Sequence, residues 1–315
     1  MFNSGHLDMA KNTLHSLAKV GLLGNTLVFA LDSATRTAMQ SAGIASYQVP
    51  GAGSVCNRGG DSGSHPDGAS SGGGCDGRRD VFSKGFADLA VLKPACVLAT
   101  VSHGFNPLWT DTDVVFLQDP RPHLDPARTI NVQAPSNVVT NEYFRVGGGA
   151  GGDRGPSGEE KLLFMAELCT GFHHTKSSPA SWRFWAHVLH ELASHPVEDA
   201  RFGDQAATNL VLFEKAPRGL QEVTVSVLDA YAFPAGVVFF QTDALPRLGN
   251  PVVVHNNNII GMDAKISRFR SRGLWFAEAP SHTEREEFHL HFGGGGGGGG
   301  GSGQMAGRFA GYGNG

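Results

Sequence analysis

Two aspartates separated by one residue, Asp111 and Asp113, stand inside a mostly apolar run that spans 107–117. Side chains two positions apart in a β-strand point to the same face, so a continuous strand would bring both carboxylates together. Burying unpaired carboxylates is costly, and a divalent cation that also binds phosphate oxygens would offset that cost. The pair therefore predicts a metal–diphosphate site. The alternative is a strand that ends at Thr110 and leaves both carboxylates solvated in a turn.

A second polar group begins at His255, after three valines at the end of another predicted strand. Ligands bind at the carboxyl ends of strands in open α/β sheets, although a single histidine is more often structural. Asparagines at 256–258 add amide groups directly after it. Lys265 follows and can meet a diphosphate as a point charge; the alternative is a solvated lysine on a helix. We predict that this group completes the site.

Asp204 and Gln205 form a third candidate pair, directly after Gly203 and before a predicted helix. An aspartate in that position is commonly the N-cap of the helix. It can equally place a carboxylate and an amide against a sugar, and the residues alone leave both interpretations open. The glycine triplets at 72–74 and 147–149 lack the Lys-Ser/Thr of a phosphate-binding loop and are not interpreted as phosphate sites.

The elements predicted around these residues alternate between helix and strand, which is typical of an α/β fold. Helical spacing opens the chain at 7–18, and an apolar run at 26–31 predicts a buried strand closed by Asp32. Another helix is expected to begin near Pro94 and to end at Gly104. The remaining predicted elements are a helix at 179–192 and strands at 223–228, 237–240 and 251–254.

Composition and charge exclude several classes of protein. The chain has 315 residues and a formal net charge of −4, without a dense run of lysine and arginine, so nucleic acid is not expected as a partner. No apolar stretch reaches the ~18 residues of a membrane span, and the first residues do not resemble a signal peptide. We therefore expect a soluble chain with no membrane span.

The four cysteines form no C-x-x-C pair, which argues against a structural zinc site. Cys56 and Cys75 flank a glycine- and serine-rich segment and could form a disulfide in an oxidising compartment. Cys96 and Cys169 lie in apolar runs and are expected to be buried thiols.

Glycine-rich segments divide the chain into ordered and flexible parts. They lie at 51–77 and 147–158 and in the tail at 293–315. These stretches contain too few apolar residues to form a core. We interpret them as two inserts and a disordered tail attached to one domain at 1–292.

Five segments, in order, resemble the nucleotide-diphospho-sugar transferase family of plants and algae, which includes cell-wall arabinosyl- and xylosyltransferases. The most specific segment reads Pro-Val-Val-Val-His-Asn-Asn, then Ala-Lys-Ile and Gly-Leu-Trp. The five segments are Leu27–Asp32, Leu92–Pro120, Thr170–Phe172, Gly203–Gln205 and Pro251–Trp275. The resemblance covers most of residues 6–276, and the glycine-rich inserts are departures from it.

The resemblance implies one Rossmann-like domain of the glycosyltransferase A type, an α/β fold around a central, mostly parallel sheet. The donor would be a UDP-sugar. Mn²⁺ (or Mg²⁺) would be held by Asp113 and His255, with Asp111 nearer the ribose and the metal. Asp204 and Gln205 would lie at the transferred sugar. The further residues implied at the nucleotide and diphosphate are Asp32, Lys93, Asn256 and Lys265.

The implied activity is metal-dependent transfer of an arabinose-, xylose- or galactose-type sugar to a cell-wall glycan or a glycoprotein. Family members are thought to retain the anomeric configuration, so no general base is needed opposite the leaving group. They are usually anchored in the Golgi by an N-terminal helix. The resemblance therefore implies the Golgi lumen, although this sequence contains no such helix.

Two other functions remain open from the residues. A haloacid-dehalogenase-like phosphatase also places Asp-x-Asp after an apolar strand, and Gly203-Asp204 with Asn209 loosely resembles its metal motif. Its first aspartate would normally open the chain, however, and His255 would have no role. A non-catalytic glycan-binding relative of the transferases would keep the fold without the reaction. UDP binding that requires Mn²⁺ would separate the transferase from both.

Overall fold

The structure is a computed structural model. It describes residues 1–50, 52, 90–134, 168–195, 202–213, 222–240 and 249–277. The predicted inserts and tail, at 51–77, 147–158 and 293–315, lie outside these residues apart from Ala52, and so do Cys56 and Cys75. Cys96 and Cys169 are buried free thiols, as predicted. None of the described helices is both long and apolar enough to cross a membrane.

Helices and strands are mixed along the described chain, so the predicted α/β class is correct. The helices are α1 (Leu7–Lys19), α2 (Ser33–Ser41), α3 (Leu92–Ser102), α4 (Pro179–Ser194), α5 (Asp204–Phe213), α6 (Gly236–Phe240) and α7 (Met262–Ser271). The strands are β1 (Val28–Ala30), β2 (Ser46–Gln48), β3 (Leu108–Thr110), β4 (Val114–Phe116), β5 (Ile130–Gln133), β6 (Cys169–Thr175), β7 (Val225–Val227) and β8 (Val253–His255).

The described strands form three small sheets instead of the predicted single, mostly parallel sheet. β1 pairs in parallel with β2, and β4 pairs antiparallel with β8. The third sheet has the order β3-β6-β5-β7, in which only β5 and β7 run parallel. Parallel neighbours need a crossover of about a dozen residues or more. The turn between β3 and β4 is far too short for one, so the apolar run 107–117 does not add parallel strands to a common sheet.

The Asp-Thr-Asp sequence is a turn between two strands and not the middle of one. β3 ends at Thr110 and β4 begins at Val114, and the two strands belong to different sheets. The prediction of a continuous strand is therefore wrong, and the alternative boundary at Thr110 is correct. Because two sheets meet at this turn, residues from both can reach the aspartates.

A second correction concerns residues 237–240, where a strand is predicted and helix α6 is found. Phe239 N donates to Ala235 O at 2.9 Å, as in an α-helix. Gly236 N donates to the side chain of Asn257 at 2.7 Å, which satisfies a donor at the start of the helix. A short apolar run does not distinguish a buried strand from a buried helix by its periodicity, and here tertiary contacts decide.

Helix α1 supplies hydrogen bonds along the edge of β4 that faces away from β8. Ser16 Oγ accepts from Phe116 N at 3.0 Å. Thr13 Oγ1 shares its hydrogen between Val114 O at 2.8 Å and Thr112 O at 2.6 Å. Two hydroxyls on a helix thus replace a neighbouring strand, and they hold the turn that carries the aspartates.

Candidate active site

Backbone hydrogen bonds fix the Asp-Thr-Asp turn to two strands. Asp111 N donates to Gly171 O of β6 at 2.8 Å, and Asn256 N, just after β8, donates to Asp113 O at 2.8 Å. The turn is therefore held between strands of two different sheets.

Asp113 is buried, with 6% of its surface exposed, and it lies between the side chains of Lys265 and His255. Its Oδ2 is 2.6 Å from Lys265 Nζ on α7, and its Oδ1 is 3.3 Å from His255 Nε2 at the end of β8. Burial by itself raises the pKa of a carboxyl, but Lys265 and His255 outweigh it and hold the pKa of Asp113 well below its usual range. Asp113 is an anion, and the interpretation of a solvated carboxylate is wrong for it.

Asp111, Asp113 and His255, the three predicted metal ligands, offer ligand atoms that all lie within 4.8 Å of one another. The side chain of Asp111 is 38% exposed, so the cluster can be reached from solvent. Carboxylates and an imidazole together form a ligand set for a divalent cation. The residues that the sequence groups together are thus neighbours, and their chemistry fits a metal.

Gly171 makes room for this cluster. A Cβ built on it would lie 2.2 Å from His255 Cε1 and 2.9 Å from both His255 Nε2 and Asp111 Oδ2. A side chain here would displace the imidazole, so glycine is required for close approach and not for an unusual backbone conformation.

The other nitrogen of His255 is held by Gln133, a residue outside every sequence motif. Gln133 Oε1 lies 2.8 Å from His255 Nδ1, and Cys169 Sγ lies 3.6 Å from the same nitrogen. Burial by itself lowers the pKa of an imidazole, but the nearby Asp113 carboxylate outweighs it and raises the pKa of His255 to about 10. Gln133 can be identified only from tertiary structure, because nothing in its local sequence marks it.

Lys93 joins the first aspartate of the turn to Asp204. Its Nζ lies 3.1 Å from Asp111 Oδ1 and 2.9 Å from Asp204 Oδ2, and its side chain is buried. Burial by itself lowers the pKa of a lysine, but the two carboxylates outweigh it, so the pKa of Lys93 is raised. Trp109 Nε1 donates to Asp111 Oδ1 at 3.2 Å. The lysine that the resemblance places at the cofactor is the centre of a charged network.

Asp204 begins helix α5, so the N-cap position belongs to Gly203 and the N-cap interpretation of Asp204 is wrong. Its Oδ2 accepts from Thr170 Oγ1 at 2.8 Å as well as pairing with Lys93. Gln205 Oε1 accepts from Thr170 N at 3.4 Å. Asp204 and Gln205 therefore face the start of β6, and Lys93 connects Asp204 to Asp111 in the Asp-Thr-Asp turn.

Two further residues that the resemblance implies at the nucleotide have local structural partners. Asp32 is the N-cap of α2, and its carboxylate accepts from Ser4 N at 2.7 Å and Thr35 N at 2.6 Å. Burial acts to raise the pKa of Asp32, and these hydrogen bonds outweigh it and lower that pKa. Asn256 Nδ2 donates to Lys265 O at 2.8 Å and so positions the helix that carries the lysine. Contacts of Asp32 and Asn256 with a nucleotide remain predictions.

Residues 21–269 match the sequence profile of the family described as Nucleotide-diphospho-sugar transferase. The UDP-D-xylose:L-fucose alpha-1,3-D-xylosyltransferase 1 of Arabidopsis thaliana is 28% identical over 200 residues, which are 62% of this chain and 52% of that protein. The UDP-galactose:fucoside alpha-3-galactosyltransferase of Dictyostelium discoideum is 26% identical over 207 residues, 61% of this chain and 28% of that protein. The chain thus spans about half the length of the Arabidopsis relative and 28% of the length of the Dictyostelium relative.

One solved structure is similar, a glycosyltransferase involved in the glycosylation of the major capsid of PBCV-1. The two share 12% sequence identity with a TM-score of 0.37, and the alignment covers 83% of this chain and 93% of that one.

Proposed function

The chain belongs to the nucleotide-diphospho-sugar transferase family, and from that premise we propose that it transfers xylose or galactose from a UDP-sugar to a fucose-containing acceptor. The activities in the names of the Arabidopsis and Dictyostelium relatives support this choice. The proposed activity is narrower than the one that the sequence resemblance implies. The resemblance also allows arabinose as the sugar, and any cell-wall glycan or glycoprotein as the acceptor. Retention of the anomeric configuration and a Golgi location are part of the proposal.

The observation that carries the proposal is the convergence of Asp111, Asp113, His255 and Lys265. Asp113 is a buried member of the cluster and also pairs with Lys265. A site that combines cation ligands with a lysine in this way suits a ligand that consists of a cation and a diphosphate. The three ligands would hold a divalent ion, which when bound neutralises charge on the departing diphosphate. Lys265 would place its ammonium against the same charge, and stabilisation of this kind is usually the largest contribution to catalysis.

The sugar end of the donor is assigned to Asp204 and Gln205. Lys93 links the Asp204 carboxylate to Asp111, and Thr170 hydrogen-bonds to both residues of the pair. A hydroxyl-rich sugar placed beside the ion site would find a carboxylate and an amide there. This assignment follows the resemblance and is supported by the short path from the turn to Asp204.

Titration calorimetry of UDP into the purified chain, with Mn²⁺ and with EDTA, tests the metal site. Binding should require Mn²⁺, and Asp113→Asn should weaken it at least tenfold, about 1.4 kcal/mol. His255→Ala should weaken it similarly, and the losses should not add in the double variant because both act through one ion. UDP binding that is indifferent to Mn²⁺, or additive losses, would contradict the proposal.

Incubation with UDP-xylose or UDP-galactose and a fucoside tests the reaction. The expected products are UDP and a xylosylated or galactosylated fucoside; UDP binding without turnover of any donor would favour the non-catalytic alternative. The phosphatase alternative gives Asn209 a metal role, but its side chain accepts from Leu168 N at 2.8 Å and donates to Leu168 O at 3.0 Å. Release of inorganic phosphate from an aryl phosphate, abolished by Asp111→Asn, would nevertheless overturn the transferase assignment.

A further inference from the structure

Gln133 is fully buried at the end of β5, and both ends of its amide have hydrogen-bond partners. Its Nε2 donates to Phe233 O at 3.0 Å, and its Oε1 lies 2.8 Å from His255 Nδ1. A backbone carbonyl oxygen can only accept a hydrogen bond, so the NH₂ of the amide faces Phe233 and Oε1 faces the histidine. An amide oxygen can also only accept. His255 Nδ1 therefore carries a hydrogen and donates it to Gln133.

This hydrogen bond decides which nitrogen of His255 is available to a cation. Because Nδ1 keeps its hydrogen for Gln133, Nε2 is the nitrogen that gives up its proton when a cation binds, and its lone pair is then the one available to the cation. Nε2 is the nitrogen that faces Asp113, at 3.3 Å from Oδ1. Histidines that bind metals characteristically donate their other N–H to a neighbouring acceptor, which fixes both the tautomer and the ring orientation.

We propose that Gln133 is a positioning residue that holds His255 in the orientation and tautomer required for a divalent cation at Asp111, Asp113 and His255. The inference rests on the proposed function, because it assumes that this cluster binds an ion. Gln133 acts through the histidine and does not itself contact the ion or the donor.

An irregularity in the pairing of β5 with β6 brings Gln133 to this place. Val132 pairs with His173, but the next residue, Gln133, pairs with Cys169, so the ladder skips the residues between them. Such irregularities re-aim side chains and are common beside active sites. One of the skipped residues is Gly171, against which the imidazole packs. The same irregularity therefore supplies the amide that holds the ring and the space that the ring occupies.

Cys169 is the other acceptor within reach of His255 Nδ1, and it is a weak one. Its Sγ lies 3.6 Å from that nitrogen and also accepts from Asn257 Nδ2 at 3.5 Å. Thiol sulfur is a poor acceptor compared with an amide oxygen. Gln133 should therefore dominate the orientation of the ring, and Cys169→Ala should leave cation binding unchanged.

The test compares Mn²⁺ dissociation constants, measured by electron paramagnetic resonance in the presence of UDP. Gln133→Met keeps the size of the side chain but removes the acceptor, and should weaken Mn²⁺ binding about 10- to 100-fold. Gln133→Glu still offers an acceptor to Nδ1–H and should recover most of that loss, although it cannot donate to Phe233 O. The matched control is Asn131→Leu, which removes another fully buried amide of β5 whose side chain bonds to the backbone of Asp125. It should lower stability and leave Mn²⁺ binding unchanged.

Equal Mn²⁺ affinities of the wild type and Gln133→Met would overturn the positioning role and leave the proposed function intact. A wild type that binds neither Mn²⁺ nor UDP would instead overturn the proposed function itself. If Gln133→Met does not fold, ¹⁵N NMR of the histidine-labelled wild type loaded with Cd²⁺ decides. The resonances lost in His255→Ala should show a hydrogen on Nδ1 and Cd²⁺ on Nε2; a hydrogen on Nε2 would overturn the proposal.

Discussion

Lys265 Nζ lies 2.6 Å from Asp113 Oδ2, although the two residues are 152 positions apart in the chain. The interpretation of Lys265 as a solvated helix lysine is therefore wrong. The ammonium neutralises a buried carboxylate that also faces His255. It keeps Asp113 ionised, and it stands where the proposed function places the negative charge of a diphosphate.

Replacing Lys265 should slow the reaction. Lys265→Ala should reduce the kcat for UDP release by about 10²-fold or more, the usual size of the loss of one electrostatic stabiliser. Lys265→Arg should restore part of the rate, because the charge returns with altered reach. Lys176→Ala, which removes an exposed lysine bonded to Pro126 O, is the control and should keep the wild-type rate. An unchanged kcat in Lys265→Ala would remove the lysine from the reaction.

Lys93→Met would leave Asp111 and Asp204 facing each other without a cation. Breaking a buried ion pair by removing one partner costs about 3–5 kcal/mol, and the partial exposure of Asp111 makes the lower end of that range the expectation here. Adding Asp204→Asn should recover part of the loss, because it removes one of the two like charges. Urea unfolding of the two single variants and the double variant measures this coupling. Additive losses would show that the ammonium does not stabilise Asp204.

Gly171→Ala should weaken Mn²⁺-dependent UDP binding about tenfold or more, the usual effect of disturbing the surroundings of a metal ligand. The reason is steric, because the added methyl group would lie 2.2 Å from His255 Cε1 and the ring has to move. Gly24→Ala is the matched control, since nothing lies within 4 Å of the added carbon. Titration calorimetry of both variants checks the prediction, and wild-type binding by Gly171→Ala would contradict it.

His173 should make the stability of the protein depend on pH. Burial, followed by the charge of Lys93, lowers the pKa of His173 from 6.5 to about 3. Between these values the unfolded chain binds a proton that the folded chain does not. The stabilisation from neutral His173 is therefore complete above pH 6.5 and is lost as the pH falls towards 3, by at most about 1.4 kcal/mol for each pH unit.

The variant His173→Phe separates this effect from other titrations, since it keeps a ring beside Trp109 and Trp185. Its free energy of unfolding, from urea titrations between about pH 7 and about pH 4, should fall less steeply than that of the wild type. Parallel pH dependences would show that His173 takes up its proton equally in the folded and unfolded chains.

The three predicted metal ligands can be identified from the sequence because each stands in an apolar run or at the end of one. Asp111 and Asp113 interrupt an apolar run, and His255 ends another, so their chemistry is visible without a structure. Gln133 carries no such signal, and Gly171 is marked only by the resemblance of Thr170–Phe172 to the family. Their roles arise from one irregular pairing of two strands, and pairing is a property of the tertiary structure.

The division of the strands among three sheets cannot be predicted from the sequence, for a related reason. β3, β4 and β8 are strands of three residues, which is too few to reveal an alternating pattern. The apolar run across β3 and β4 therefore reads as one strand, although a turn divides it. Residues 237–240 likewise favour a strand by their composition. The hydrogen bond from Gly236 N to the side chain of Asn257 stabilises the helix α6 that forms instead.

Strand β4 is completed by two parts of the chain that are synthesised far apart. Thr13 and Ser16 bond to one edge early in the sequence, whereas β8 pairs with the other edge near the end of the described chain. Until β8 has left the ribosome, a wholly buried, apolar strand has an open edge, which is a surface prone to association with other chains. The turn between β3 and β4 acquires its histidine in the same event. A growing chain therefore closes the open edge of β4 and completes the cluster of Asp111, Asp113 and His255 in one event, when β8 pairs with β4.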